Sequence, residues 1–210
     1  MIIKDFLFKY QNIFFFWILE NSLSGCKSIL DVGCGDNSAI GNIRKNFKSE
    51  GIDIYEKSVF SSRKKKLHDK YKVGDIKKLS SYYKKKSFDA CVSIDIIEHF
   101  TKKDAIKLIK DMELIATKRV ILLTPNGFCE QHDYLGNPYQ EHRSGWKKED
   151  LQKLGYKVYG LRGLKILRNE QAGIKYKPWI IWGILSFISE ILFFVYPSLS
   201  FDLFAVKTLH

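Results

Sequence analysis

Residues 29–37 read Ile-Leu-Asp-Val-Gly-Cys-Gly-Asp-Asn, a short apolar run that stops at two glycines. The run predicts a β-strand, and glycines at its end let the backbone approach a ligand closely. The third glycine of the dinucleotide-binding fingerprint is replaced by Ser38. Carboxylates at Asp31 and Asp36 would repel a pyrophosphate. The turn therefore favours a ligand that carries cationic groups.

A second acid follows at the spacing that a nucleoside requires. Asp53 ends the run Gly51-Ile52-Asp53-Ile54, twenty residues after Gly33. A carboxylate at the end of the second strand can accept hydrogen bonds from both ribose hydroxyls. The alternative is an aspartate that caps the next helix. Gly74-Asp75-Ile76 repeats the pattern after the third strand, where a surface turn is the alternative.

Short β-type runs alternate with helical patterns along the chain, which predicts a parallel sheet covered on both faces. The predicted strands lie near residues 28–33, 49–54, 71–74, 88–94, 118–124, 156–164 and 200–207. The predicted helices lie near residues 3–23, 38–47, 57–67, 78–86, 102–116, 146–154 and 178–195.

These motifs, in this order, resemble the class I S-adenosylmethionine-dependent methyltransferases of the small type 11/23 kind. Later segments add to the resemblance, namely residues 88–100, 119–126 and 142–158. It covers about residues 28–165, and the last strand returns at 200–207. It implies a Rossmann-like α/β fold with seven mostly parallel strands in the order 3-2-1-4-5-7-6, strand 7 being antiparallel, and helices on both faces.

We expect one methyltransferase domain over residues 1–210. Its predicted parts are an N-terminal aromatic helix (1–24), a cofactor-binding core (25–165), an apolar helical insertion between strands 6 and 7 (174–197), and the last strand (200–207).

The resemblance implies S-adenosylmethionine as cofactor and S-adenosylhomocysteine as product. Asp31 would face the ammonium group, Asp53 the ribose, and Asp75 with the following amide the adenine. The full set of cofactor contacts that it implies is Asp31, Gly33, Cys34, Gly35, Asp53, Ile54, Asp75, Ile76 and Asp95.

An oxygen acceptor needs a general base, or a metal that lowers the pKa of its hydroxyl. In Asp95-x-x-Glu98-His99 the three side chains share one face of a helical turn. The cluster resembles the metal motif of ubiquinone-pathway O-methyltransferases and of small-RNA 3′-end 2′-O-methyltransferases, in which a downstream histidine, here His142, completes the site.

We expect Glu98, His99 and His142 to be catalytic without a metal, as a base or in shaping the pocket. A magnesium-type site built from Asp95, Glu98, His99 and His142 is the alternative, although the short Asp95 replaces a glutamate. Simple packing at a helix start is the third reading. The long loop at 125–145 carries four side chains that either contact the acceptor or simply face solvent, namely His132, Asp133, Tyr134 and Tyr139.

The composition is that of a folded, basic protein with 210 residues and a formal charge of +12. Residues 63–86 hold eleven Lys and Arg against two Asp, a charge of +9. This segment is either a solvated surface or a face for phosphate groups. The four cysteines lack metal-ligand spacing and indicate free thiols in a reducing compartment.

Two apolar segments raise the question of a membrane. Residues 1–23 are too short to span a bilayer and lack a signal-peptide cleavage pattern. Residues 179–196 approach the length of a span, but Glu190 interrupts them and Pro197 ends them. The helix at 178–196 would pack as extra core, form a homodimer contact, or lie on a membrane with Lys175 and Lys177 at the headgroups.

We therefore expect a methyltransferase that acts on an oxygen of a small-molecule or lipid-linked acceptor. The expected location is cytoplasmic, with peripheral attachment at the inner face of a membrane. One alternative is an RNA 2′-O-methyltransferase with a divalent metal. The other is a cofactor-binding scaffold without catalysis at a membrane.

Overall fold

A computed structural model describes residues 12–43, 46–131, 138–170 and 172–209. The start of the predicted N-terminal helix lies outside these residues, as do His132, Asp133 and Tyr134 of the predicted acceptor loop. The described helices are α1 (Ile13–Ser22), α2 (Glu56–Lys64), α3 (Leu79–Tyr82), α4 (Lys102–Ile115), α5 (Lys148–Lys153) and α6 (Trp179–Val195). The strands are β1 (Ser28–Val32), β2 (Lys48–Asp53), β3 (Lys70–Val73), β4 (Phe88–Ile94), β5 (Ala116–Pro125), β6 (Lys157–Leu164) and β7 (Ser200–Thr208).

The strands form one sheet in the order β3-β2-β1-β4-β5-β7-β6. β1 to β5 are parallel to one another, and β7 is antiparallel to both β5 and β6. This confirms the predicted topology. The carboxyl ends of β1 and β4 are neighbours although the chain leaves them in opposite directions across the sheet, and this is where such folds bind ligands.

Each face of the sheet carries its own apolar core. Leu30, Val32 and Cys91 pack on one face with residues of α3, α4 and α5. Ile29, Ala90 and neighbouring strand residues pack on the other face with α1. Successive strand side chains point to opposite faces, so the near-continuous apolar strands require cover on both sides.

Two predicted helices are much shorter than expected. In place of the helix at 38–47, Ala39–Asn42 form one 3-10 turn. The Ser38 hydroxyl caps the turn by accepting from the Ile40 amide, and Ile43 is already extended. In place of the helix at 78–86, α3 stops at Tyr82, because Tyr83 turns away to pack against Phe88 and to donate to Glu50.

Candidate active site

A cavity of about 540 Å³ opens at the carboxyl ends of β1, β2 and β4. Its size suits a nucleoside-type ligand. The residues around it are Gly33, Asp53, Ile54, Asp75, Ile76, Lys77, Ile96, His99, Phe100, Tyr139, Gln140, Glu141 and Arg143. Five predicted cofactor residues are among them, together with the predicted catalytic His99 and the predicted acceptor-loop residue Tyr139.

The glycine turn after β1 forms the floor of this cavity. Gly33 has φ +79, and a Cβ there would lie 2.2 Å from Ile96 Cδ1. The amides of Gly33 and Cys34 both donate to the Ile52 carbonyl, at 2.8 and 3.1 Å, which ties the turn to β2. Only glycine fits position 33, because any side chain would need a strained backbone and would also collide with Ile96.

Asp53 reaches from the end of β2 into the same turn. Its Oδ2 accepts from the Gly35 amide at 2.9 Å, and its Oδ1 accepts from the Tyr55 amide at 2.8 Å. Burial raises the pKa of this carboxyl, and the two amide donors oppose the rise. A carboxylate has about four acceptor positions, so two remain for the hydroxyls of a ribose.

The next acid along this edge of the sheet lies at the end of β3. Asp75 Oδ1 accepts from the Lys77 amide at 3.0 Å and so caps the short 3-10 turn Ile76–Lys78. Its other oxygen is left for a donor in the cavity, such as an exocyclic amino group. Ile54 and the buried Ile76 supply apolar surface beside it.

Four predicted cofactor residues do not line the cavity, namely Asp31, Cys34, Gly35 and Asp95. Asp31 is 3% exposed, and its carboxylate contacts the Ser38 hydroxyl and lies 3.3 Å from His68 Nε2. Cys34 is buried against Gly51, and Gly35 contributes its amide to Asp53. Asp31 therefore supports the turn from beneath, and its predicted contact with an ammonium group stays a prediction.

The predicted acceptor side is assembled from two distant segments. Glu98 and His99 lie in the 3-10 turn Ile97–His99 after β4. The amides of Arg143 and Ser144 donate to the Glu98 carbonyl at 2.7 and 3.0 Å, which brings His142 beside that turn. The imidazole rings of His99 and His142 are 4.8 Å apart.

Both imidazoles are oriented by backbone carbonyls. His99 Nδ1 lies 3.2 Å from the Glu141 carbonyl, and His142 Nδ1 lies 2.7 Å from the Cys129 carbonyl. A carbonyl can only accept, so each Nδ1 carries a proton, and in a neutral ring the Nε2 then keeps its lone pair. Burial lowers the pKa of His99 to about 4, so this imidazole is neutral at neutral pH.

Glu98 is almost fully buried beside these histidines. Its Oε2 accepts from the Thr124 hydroxyl at 2.9 Å, whereas Oε1 has no hydrogen-bond partner. Burial raises the pKa of Glu98 well above its usual value, and nearby Asp95 raises it further. Such an oxygen favours a protonated, uncharged carboxyl or a bound cation.

The structure does not join Asp95 to the predicted ligand cluster. Among the described residues, the ligand atoms of Glu98, His99 and His142 all lie within 4.8 Å of one another, and Asp95 is not in that group. Asp95 has φ +53, and its carboxyl faces Arg162 and His142, which oppose the rise that burial causes in its pKa. The predicted four-residue metal site is thus reduced to three residues.

The sequence did not reveal a buried ionic network behind the site. Arg162 of β6 pairs with the fully buried Asp202 of β7 at 2.6 Å, and its amide donates to Glu190 of α6 at 2.9 Å. Burial raises the pKa of Asp202, and Arg162 opposes the rise. The partners come from elements far apart in sequence, so no spacing could indicate them.

Several cavity residues were also missed, among them Lys77, Ile96, Phe100, Gln140, Glu141 and Arg143. Of these, Ile96 could have been predicted, because it directly follows β4, whose carboxyl end adjoins the glycine turn. Gln140, Glu141 and Arg143 depend on the path of the long loop, which local patterns do not predict.

Comparisons with known proteins agree with this geometry. Residues 30–124 match the sequence profile of the family described as "Methyltransferase domain". A comparison with curated protein sequences finds no match.

Many solved structures share the fold. A SAM-dependent methyltransferase from Archaeoglobus fulgidus is 17% identical, with a TM-score of 0.61, covering 91% of this chain and 90% of its own. The methyltransferase domain of bacterial CtHen1 is 17% identical, with a TM-score of 0.57, covering 97% of this chain and 100% of its own.

A third similar structure is magnesium protoporphyrin IX methyltransferase from Synechocystis PCC 6803 with SAM bound. It is 16% identical, with a TM-score of 0.54, covering 97% of this chain and 79% of its own. The matched profile spans the glycine turn, Asp53 and the Glu98–His99 turn. The matched profile over residues 30–124 and the shared fold support a class I S-adenosylmethionine-dependent methyltransferase, with S-adenosylmethionine as cofactor and S-adenosylhomocysteine as product.

Proposed function

We propose that this enzyme methylates an oxygen atom of a small-molecule or lipid-linked acceptor. One observation carries the proposal: His99 lines the cavity beside the cofactor residues, and its Nε2 keeps a lone pair. A neutral imidazole at that position can take the proton that a hydroxyl loses when it is methylated.

The proposed methyl transfer accounts for each bond formed and broken and for the proton released. The acceptor oxygen attacks the methyl carbon of the sulfonium, the carbon–sulfur bond breaks, and neutral S-adenosylhomocysteine leaves. The hydroxyl becomes strongly acidic as the new carbon–oxygen bond forms, so even a weakly basic imidazole accepts its proton. The protein otherwise contributes position and a partly enclosed cavity.

The test is methyl transfer to fractionated cell extract with radiolabelled cofactor. Label in lipid or in small organic molecules, as a base-stable ether or an ester, supports the proposal. Replacing His99 with Gln should then lower kcat by about 100-fold, within the range typical of general bases, while calorimetry shows unchanged cofactor affinity. Label that appears only in RNA or on nitrogen would reject the proposal.

A divalent ion at Glu98, His99 and His142 is the second candidate. Each of these residues offers one ligand atom, and the three atoms lie within 4.8 Å of one another; Glu98 Oε1 has no hydrogen-bond partner. An ion about 2.1 Å from each ligand atom needs pairs no more than about 4.2 Å apart, so a small inward shift suffices. Imidazole with carboxylate suits Mn²⁺, Co²⁺ or Zn²⁺ better than Mg²⁺.

Such an ion would lower the pKa of an acceptor hydroxyl, which would admit an RNA 2′-hydroxyl as acceptor. The basic segment at 63–86 would then contact phosphates. Titration of the wild type with Mn²⁺ in a calorimeter, beside Glu98→Gln, tests the ion directly. Binding that the variant loses, together with activity that a chelator removes, supports this candidate. Activity that survives the chelator would exclude it.

A further inference from the structure

Helix α6 has an inverted distribution of side chains. Its buried residues are Gly183, Ser186 and Glu190. Its exposed residues are large and apolar: Trp179, Ile180, Ile181, Ile184, Leu185, Ile188, Ile191, Leu192 and Val195. A surface helix normally turns its apolar side chains inward, and a contiguous exposed apolar face of this kind marks an interaction site.

The polar side chains Ser186, Ser189 and Glu190 form a stripe along α6 that is hydrogen-bonded to β6 and to Arg168. The helix therefore cannot rotate to bury its apolar face. Glu190 Oε1 accepts from the Arg162 amide at 2.9 Å, and Ser189 Oγ accepts from the Leu164 amide at 3.0 Å. Arg168 donates to Ser186 Oγ at 3.0 Å. β6 is an edge strand, and these side chains satisfy amides that no neighbouring strand can reach.

Glycines in β6 allow this close packing. A Cβ at Gly163 would lie 2.1 Å from the Ser186 carbonyl oxygen, and one at Gly160 would lie 2.2 Å from the Phe193 carbonyl oxygen. The backbones of α6 and β6 therefore touch. This close packing fixes the outward orientation of the apolar face of α6.

Acidic residues are few in the segment that carries this face, although Glu170 just before it and Glu20 of α1 are exposed. Between residues 172 and 209 the only acidic residues are Glu190 and Asp202, and both are buried. Lys175 and Lys177, just before the helix, are exposed. An apolar face that begins at two exposed lysines and has no exposed carboxylate between residues 172 and 209 complements a layer of anionic lipid headgroups.

The helix has the dimensions of an interfacial element. Within the described part of the chain, no helix is both long and apolar enough to cross a bilayer. The exposed aromatic residues Trp179 and Tyr196 lie at its two ends, where amphipathic rings meet the interface. The half-exposed Trp17 of α1 lies 6.2 Å from Phe194 between ring centroids and extends the surface.

We propose that the outer face of α6 binds the surface of an anionic membrane, lying in the plane of the headgroups with its apolar side chains among the upper acyl carbons. This goes beyond the proposed methylation, and its test needs no methyl transfer. If the membrane test fails, the proposed methylation is unaffected. If the methylation test fails, the membrane proposal is unaffected.

The test is flotation of the full-length protein with vesicles of phosphatidylcholine containing about 30% phosphatidylserine. The double variant Ile181→Asn/Ile188→Asn removes two side chains that are 61% and 58% exposed, so the fold should survive. We expect at least a tenfold fall in its partition coefficient. The matched control is Phe60→Asn on α2, 57% exposed and far along the sheet, which should change partitioning less than twofold.

A second pair of variants tests the role of charge. Lys175→Gln/Lys177→Gln should lower partitioning about tenfold or more and remove the preference over pure phosphatidylcholine. Lys84→Gln/Lys85→Gln, in the distant basic segment, should have little effect.

Two results would overturn the proposal. One is a wild type that does not float with anionic vesicles. The other is a wild-type dimer that Ile181→Asn/Ile188→Asn makes monomeric while partitioning is unchanged, since the face would then cover a second copy.

Discussion

At the scale of single residues, burial has opposite effects on two neighbouring groups. It raises the pKa of the Glu98 carboxyl and lowers that of the His99 imidazole. Burial disfavours the charged form of any group, so the His99 imidazole is uncharged near neutral pH, and the Glu98 carboxyl keeps its proton to a higher pH than a free glutamate does. A neutral imidazole at this position is suited to accept a proton from a substrate hydroxyl. The two groups adjoin in sequence, but their burial depends on contacts with residues 124 and 141–144.

Replacing His99 with Gln should change how stability depends on pH. The pKa of His99 is about 4 in the folded protein and near 6.5 in an unfolded chain. Above pH ~6.5 neither state binds the proton. As the pH falls from there toward 4, the unfolded chain gains it first, so the wild type loses stability.

Between about pH 7.5 and about pH 5, we expect the wild type to lose about 1–2 kcal/mol more than His99→Gln in urea unfolding. The variant is the control for all other titrating groups. Equal losses in the two proteins would show that His99 is not desolvated.

At the scale of elements, the contact between α6 and β6 explains why an apolar helix can interrupt the sheet. α6 packs along the edge strand β6. Its polar side chains accept hydrogen bonds from β6 amides that would otherwise need a further strand as partner. Arg162, with φ +60, pairs with Asp202 and donates its amide to Glu190. The insertion, β6 and β7 are therefore one packed unit behind the acceptor side of the cavity.

Gly163→Ala should destabilise the protein more than an ordinary left-handed glycine replacement. Gly163 has φ +65, and the added Cβ would lie 2.1 Å from the Ser186 carbonyl oxygen. Gly25→Ala is the matched control, because Gly25 has φ +77 and no atom within 4 Å of the new Cβ. The control isolates the cost of the backbone conformation, about 1–2 kcal/mol.

Thermal or urea unfolding should show a loss for Gly163→Ala that exceeds the loss for Gly25→Ala by about 1–3 kcal/mol. Equal losses would mean that α6 does not pack against β6 at this distance.

At the scale of the whole molecule, the parts that the sequence predicts are those with local causes. Apolar strands, the glycine turn and the acids after β2 and β3 place five predicted residues around the cavity. The sheet order was implied by the resemblance to a known family and is confirmed.

The parts that depend on distant contacts were not predictable. Asp31 points to Ser38 and His68, and Arg162 pairs with Asp202, although no local pattern indicates either contact. The helices at 38–47 and 78–86 are shorter than predicted. Ser38 caps a single 3-10 turn in the first, and Tyr83 contacts Glu50 and Phe88 at the end of the second, which overrides local helix propensity.

The central claim is that the turn at 33–35 and the acid at the end of β2 bind the cofactor. Calorimetric titration with S-adenosylhomocysteine tests it most directly, on the wild type, Asp53→Ala and the control Asp36→Ala. Asp36 lies in the same turn, but its side chain is 59% exposed and contacts only Lys65 among the ion pairs of the described residues.

We expect the wild type and Asp36→Ala to bind within about twofold of each other. Asp53→Ala should bind about 100-fold more weakly, because two hydrogen bonds to a charged group contribute about 3 kcal/mol or more. Unchanged affinity in Asp53→Ala, or no binding by the wild type, would contradict the account.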